Sequence, residues 1–221
     1  MRALITQRES ANRYGELTDV LESRYVEYFS RLGIFVQPVS NFLPDGGEFL
    51  LKDGMADALI LTGGGELPPQ FYHERSGAER QPHRDSTERL LIERFREQKK
   101  PILAICRGMQ YVNGLMGGKI SRLDSLKTAR PIRTDHPVKV LGEQWLVNQY
   151  HNDGIFLTDL APGLEELAVD YDNGVVEAFT VPGEHILGLQ WHPERPFSDR
   201  GTEKKTAELI CRFFGLECGR R

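Results

Sequence analysis

A chain of 221 residues, 39% hydrophobic and 27% charged, carries enough apolar material for one cored domain and too little for a second of full size. A net charge of -4 without any long basic block argues against nucleic acid as a partner. No stretch approaches the ~20 apolar residues of a membrane span, and the opening MRALITQRES lacks a signal-peptide core, so a cytoplasmic protein with no membrane partner is expected.

In chain order, RALITQ reads as a short buried strand. The segment 15–33 places Leu17, Leu21, Tyr25, Tyr28, Phe29 and Leu32 at helical spacing and stops at Gly33, which predicts one long helix. IFVQPV predicts a second strand, and ADALILTGG a third that runs into glycines 63 to 65. Residues 85–100 predict an amphipathic helix with basic side chains in its last turn, where the helix dipole favours them. PILAIC is a fourth strand and GMQYVNGLMGG a helix ending in glycines. Strands alternating with helices imply a parallel sheet covered on both faces. From about residue 136 the pattern changes to hairpins, over 136–149 and 164–194, with Asp172-Asn173-Gly174 as a tight-turn signal. A final helix carries Ala207, Ile210, Cys211 and Phe214 on one stripe. One α/β domain with a small antiparallel annex is the expectation.

The three cysteines, 106, 211 and 218, cannot all pair internally, and none stands at metal-ligand spacing. That usage suits a reducing compartment, and neither a metal nor a cofactor is expected. Cys106 stands where a buried strand meets a helix, in Ala104-Ile105-Cys106-Arg107-Gly108. This is close to the nucleophile elbow, G-x-nucleophile-x-G, in which small flanking residues make room for a sharp turn. At such an elbow a helix N-terminus favours a thiolate, and the Arg107 N–H points at the oxygen of an attacked carbonyl. The residues alone leave open a buried structural thiol. His192, in LGLQWHPERP, follows an apolar strand, and Pro193 keeps it extended, so Glu194 falls on the same side and can orient the imidazole. Glycines 63 to 65 can bring a second N–H to the developing oxyanion, and Gln110, one turn past Cys106, can hydrogen-bond an amide or carboxylate.

Together LILTGGGEL, PILAICRGMQYVNGLMGGKI, LVNQYHNDGI and LGLQWHPE resemble the class I glutamine amidotransferase superfamily. CRGMQ and VNQYHN look most like its stand-alone γ-glutamyl hydrolases, the γ-glutamyl-γ-aminobutyrate hydrolase-like (peptidase C26) branch. The start, with ITQR and a tyrosine-rich first helix, is similar to a narrower set, the γ-glutamyl-CDP-amidate hydrolases of capsular phosphoramidate biosynthesis. The resemblance implies a flavodoxin-like three-layer sandwich over residues 1–221, a mainly parallel sheet, and a triad of Cys106, His192 and Glu194 working through a thioester. It also implies an oxyanion hole from Arg107 with Gly64 or Gly65. Gln110 and the segment Asn148, Gln149, Tyr150 and His151 would hold the glutamyl head group. Three positions depart from the pattern: Ala104 replaces a glycine, Glu66 a frequent aspartate and Asp153 a frequent glutamine.

A diphosphate leaving group calls for Arg or Lys near the site. Arg8, just past the first strand, is the leading candidate, with Arg13, Arg84 and Arg107 behind it. Arg84, Asp85 and Glu88 in HRDSTE resemble a family motif and read as structural or helix-capping. The expected partner is a small γ-glutamyl amide. A homodimer is compatible with this reading. A glutaminase subunit feeding a separate synthase is the alternative, since the chain holds no ATP-binding motif, and a non-catalytic thiol sensor on the same fold is the third reading.

Overall fold

The computed structural model describes residues 1–43, 55–73, 80–123, 126 and 130–217; Cys218 lies outside them. The chain begins with strand β1 (Arg2–Ile5), whose Ala3, Leu4 and Ile5 are fully buried. The long first helix expected over 15–33 does not form in its first half. Instead β2 (Arg8–Ala11) and β3 (Leu17–Val20) pair as an antiparallel hairpin, separate from the main sheet. The Asn12 side chain accepts from the N–H groups of Tyr14 at 2.9 Å and Glu16 at 3.1 Å, and Gly15 supplies a φ of 79°. That turn reverses the chain before a helix can start. Leu17, read as part of a buried helical stripe, is 52% exposed. The helix α1 (Ser23–Arg31) keeps Tyr25, Tyr28 and Phe29 buried and ends at Gly33, where φ is 75°.

The remaining elements follow the expected alternation. They are β4 (Phe35–Pro38), β5 (Ala58–Leu61), α2 (Pro82–Glu97), β6 (Ile102–Ile105) and α3 (Arg107–Leu115). The second half adds β7 (Ser121–Arg122), β8 (Thr134–Val140), β9 (Glu143–Gln149), β10 (Asp153–Phe156), β11 (Glu165–Asp170), β12 (Val175–Thr180), β13 (Ile186–Leu189) and α4 (Arg200–Phe213). The helix α2 starts at Pro82, earlier than the pattern indicated, because a proline at the first position lacks only an N–H the helix cannot use. Asp199 caps α4, accepting from Gly201 N at 3.1 Å and Thr202 N at 2.8 Å.

The central sheet runs β4-β1-β5-β6-β13-β12-β11-β8-β9. It is parallel from β4 to β13 and antiparallel from there to β9, with β10 and β7 attached through β12. The annex is therefore a continuation of the sheet, hinged on β13, which pairs with β6 on one side and β12 on the other. Alternation along each strand feeds two cores. Leu59, Leu61, Ile102 and Ala104 pack with Leu91, Phe95, Met109 and Val112 of α2 and α3. Ile60, Leu103 and Ile105 pack with Tyr25 and Phe29 of α1 and Ile210 of α4 on the opposite face. Helices on both faces make the three-layer sandwich. Among the described residues no helix is long and apolar enough to cross a membrane.

Candidate active site

The carboxyl ends of β5, β6 and β13 converge on one cleft, as they must where neighbouring parallel strands end on one edge. Ile105 closes β6, and Cys106 follows at φ 52° and ψ -106° as the N-cap of α3. A non-glycine residue there stores about 1–3 kcal/mol of strain that its surroundings must hold. The Cys106 N–H donates to Leu189 O at 2.7 Å, and its carbonyl accepts from Gln110 N at 3.1 Å. A Cβ at Gly108 would lie 2.6 Å from Leu61 Cβ and 2.9 Å from Leu61 O, so only glycine lets α3 approach β5 this closely. Ala104, the departure on the other side of the elbow, is accommodated because its methyl group packs into the core under α3. Cys106 carries a free thiol.

His192 follows β13 by three residues and is nearly buried. Its Nδ1 lies 2.6 Å from Glu194 Oε1, with Glu194 on the same side of the extended H-P-E segment. Burial by itself lowers the pKa of His192, but the Glu194 carboxylate and then Cys106, which hydrogen-bonds the imidazole, outweigh it and raise the pKa to about 10. A Cβ on Gly63 would stand 2.7 Å from His192 Cε1 and 3.2 Å from Cys106 Cβ. Glycine, cysteine and histidine therefore crowd a single point.

The three glycines are not equivalent. The Gly63 N–H donates to the Tyr25 hydroxyl at 3.0 Å. Gly64 and Gly65 adopt φ of 82° and 81°, and neither N–H has a hydrogen-bond partner among the described residues. Burial, aided by Glu194, raises the Tyr25 pKa, so its hydroxyl keeps its proton.

The cleft measures ≈ 380 Å³ and is lined by Cys106, His192, Gly63 to Gly65, Tyr25, Gln110, Tyr150, His151, Asp153 and a rim of Arg8, Arg122 and Arg195. Gln110 is buried, not surface-facing, and donates to Asp153 O at 2.9 Å and Gln190 Oε1 at 3.1 Å. Tyr150 packs its ring 5.6 Å from that of His192 and carries Arg195 at 4.5 Å. His151 donates from Nδ1 to Asp153 O at 2.9 Å, and burial lowers its pKa. Asn148 and Gln149 stand behind the cleft wall. Asn148 clamps the His192 backbone, with Nδ2 donating to His192 O and Oδ1 accepting from His192 N, both at 2.9 Å. Gln149 donates to Arg130 O at 3.3 Å.

The arginines sort in the same way. Arg8 is on the rim and forms no ion pair among the described residues. The Arg107 guanidinium turns inward to Glu88 and Asp85, so only its backbone faces the cleft, and Arg84 is likewise fully buried. Neither guanidinium is free for a leaving group. Arg13 stacks on Tyr14 in the hairpin turn, away from the cleft. Among the described residues no group of His, Cys, Asp and Glu could hold a metal. Sequence reading missed Tyr25, Arg122 and Arg195. Only Arg195 left a local signal, one residue past an extended H-P-E.

Comparison with known proteins gives the family and the fold. The Peptidase C26 family model matches residues 5–194. A Lactococcus lactis protein named glutamine amidotransferase-like protein YvdE is 33% identical over 176 residues, covering 71% of this chain and 73% of that one. The γ-glutamyl-CDP-amidate hydrolase of Campylobacter jejuni is 34% identical over 148 residues, 67% of each chain. A crystal structure from Thermoplasma acidophilum, described as that of a GMP synthase subunit, superposes with a TM-score of 0.65 at 20% identity, covering 97% of this chain and 93% of that one.

Proposed function

Starting from the fact that this chain belongs to the Peptidase C26 family of glutamine amidotransferase-like hydrolases, we propose that it is a cysteine hydrolase of a γ-glutamyl amide bond, with all 221 residues acting as one domain. One observation carries the reading. A cysteine at φ 52° on a strand-to-helix elbow meets an imidazole that is itself held at 2.6 Å by a carboxylate, beside glycines with open N–H groups.

The Cys106 sulfur attacks the γ-carbonyl carbon, and its proton resides on His192. The carbonyl oxygen, now negative, is held by the Arg107 N–H and by Gly64 or Gly65, because Gly63 already donates to Tyr25. His192 passes the proton to the departing nitrogen, the C–N bond breaks, and a γ-glutamyl thioester remains. Water, deprotonated by His192, then attacks the thioester, and glutamate leaves as Cys106 is restored. Glu194 fixes the ring orientation and stabilises the imidazolium throughout. Gln110, Tyr150 and His151, which line the same cleft, take the glutamyl head group. Asn148 and Gln149 support the cleft wall and the His192 backbone.

The leaving group is an anion that Arg8 receives. Arg122 and Arg195 are already paired, with Glu66 at 3.4 Å and Glu22 at 2.8 Å, whereas Arg8 forms no ion pair among the described residues. Such a rim cation favours an anionic leaving group over ammonia, and γ-glutamyl-CDP-amidate, the substrate in the name of the Campylobacter jejuni relative, fits that chemistry. Glutamate release is to be measured on γ-glutamyl-CDP-amidate, γ-glutamyl-γ-aminobutyrate and free glutamine, with no second protein present. The CDP-amidate conjugate should turn over fastest, Cys106→Ser should lower that rate by at least about 10⁴, and Arg8→Ala should lose the preference among the three. Equal rates on all three would end the CDP-amidate assignment. Activity on glutamine appearing only with an added synthase would favour the ammonia-delivering alternative.

A further inference from the structure

Arg84 is one of the largest fully buried side chains and lies at the first turn of α2, yet it takes no part in the proposed reaction steps. Its guanidinium donates to Thr62 O at 2.6 Å, Gly64 O at 2.7 Å and, more weakly, Gly63 O at 3.4 Å. The other contacts are Thr62 Oγ1 at 3.0 Å, Gln81 Oε1 at 3.1 Å and, through Nε, Glu88 Oε1 at 2.8 Å. Arginine has five N–H donors, so nothing remains for a ligand.

The consequence follows from peptide geometry. Among the described residues no peptide bond is cis. In a planar trans unit the carbonyl of one residue and the N–H of the next point in opposite directions. Drawing the carbonyls of Thr62, Gly63 and Gly64 inward therefore turns the N–H groups of Gly63, Gly64 and Gly65 the other way. Tyr25 takes the first of these, and the other two have no partner among the described residues. The same carboxylate that anchors Arg84 reaches the second half of the oxyanion site. Glu88 is fully buried, and its Oε2 accepts from Arg107 Nη1, the residue whose backbone N–H faces the attacked carbonyl. Burial opposes ionisation of Glu88, but Arg84 and Arg107 outweigh it and hold its pKa below the usual carboxylate range. Arg107 Nε also donates to Glu66 O at 3.3 Å, tying the elbow directly to the end of the glycine loop.

We infer that Arg84 is a positioning residue for the oxyanion hole, setting the peptide planes of the glycine loop, and that Glu88 couples this loop to the elbow N–H of Arg107. The inference rests on the hydrolase reading. It predicts a defect confined to the charged transition state, since Arg84 touches neither the thiol nor the imidazole.

Arg84→Lys keeps a cation in the cavity but cannot fork across three carbonyls, and it is the variant least prone to misfolding; Glu88→Gln is the second. Each is assayed below its own melting temperature, with kcat counted per iodoacetamide-titratable Cys106 thiol. For Arg84→Lys the expected result is a loss in kcat of about 10²-fold, the effect of one oxyanion donor. The alkylation rate of Cys106 and the inhibition constant of glutamate should stay within about threefold. A merely structural arginine would lower the melting temperature and the titratable fraction and leave kcat per thiol unchanged, which would overturn the inference. So would alkylation slowing in step with kcat, because the guanidinium would then be holding the elbow and not the loop. If Cys106→Ser retains turnover, the hydrolase reading itself fails, and that outcome is separate from either of these.

Discussion

Two buried polar clusters flank the cleft, and they differ in how fully their atoms are paired. Under the glycine loop, Arg84, Arg107, Glu88 and Asp85 balance in charge, and Glu88 accepts from both arginines and from the Thr6 hydroxyl. Burial still raises Asp85 to about 6 against the pull of Arg107. Under the antiparallel wing, Glu177 lies between His136 at 3.4 Å and His151 at 3.7 Å, all of them buried. There, both His136 ring nitrogens, His151 Nε2, Glu177 Oε2 and Gln190 Nε2 have no hydrogen-bond partner among the described residues. The charged groups of the first cluster hydrogen-bond one another directly, whereas Glu177 and its two histidines meet without a hydrogen bond between them. The side of the cleft to which we assign the developing charge is the one backed by the directly paired cluster, and preorganised donors lose their value if they have to reorient. The side assigned to the head group and wall is held by side chains that retain unused bonding capacity.

The largest effect expected from this contrast is on stability. Glu88→Gln leaves two buried guanidinium groups short of their shared counter-ion, and breaking such a pair costs about 3–5 kcal/mol. For a chain of this size that is a fall of roughly 10 °C in melting temperature, by calorimetry. A variant melting with the native chain would show the first cluster to be no more firmly paired than the second.

Between the clusters sits the His192–Glu194 pair, and it sets a pH dependence. The pKa of His192 is raised from 6.5 to about 10 in the folded state. Its contribution to stability is therefore complete below pH 6.5 and is lost as pH rises through about 10. Denaturant midpoints taken from pH 6 to 10.5 should fall over the upper part of that range in the native chain, by more than in His192→Asn. Parallel curves for the two proteins would contradict the pairing.

The smallest effect belongs to the wing. Glu177→Gln removes a charge but, among the described residues, no side-chain hydrogen bond, so stability should change by less than about 1 kcal/mol in urea unfolding. A loss as large as that of Glu88→Gln would erase the contrast between the two regions.

Local chemistry was enough to reveal much of this protein. The β5–loop and β6–elbow–α3 segments, the H-P-E geometry and the two-sided burial of the central strands follow from alternation, small residues at tight turns and proline stiffness. All of these act within a few positions. The hairpin of β2 and β3 was misread because its apolar residues also satisfy a helical period, and a single asparagine side chain with a glycine turn decided between the two. The inward turn of the Arg107 and Arg84 guanidinium groups, the retreat of Asn148 and Gln149 behind the wall, and the arrival of Tyr25 and Arg195 at the cleft could not be read in advance. Each depends on a partner tens of residues away whose distance is set only when the layers pack. The sequence by itself determined which residues could carry the chemistry; the tertiary structure decided which of them face the cleft, because facing is a relation between elements and not a property of either one.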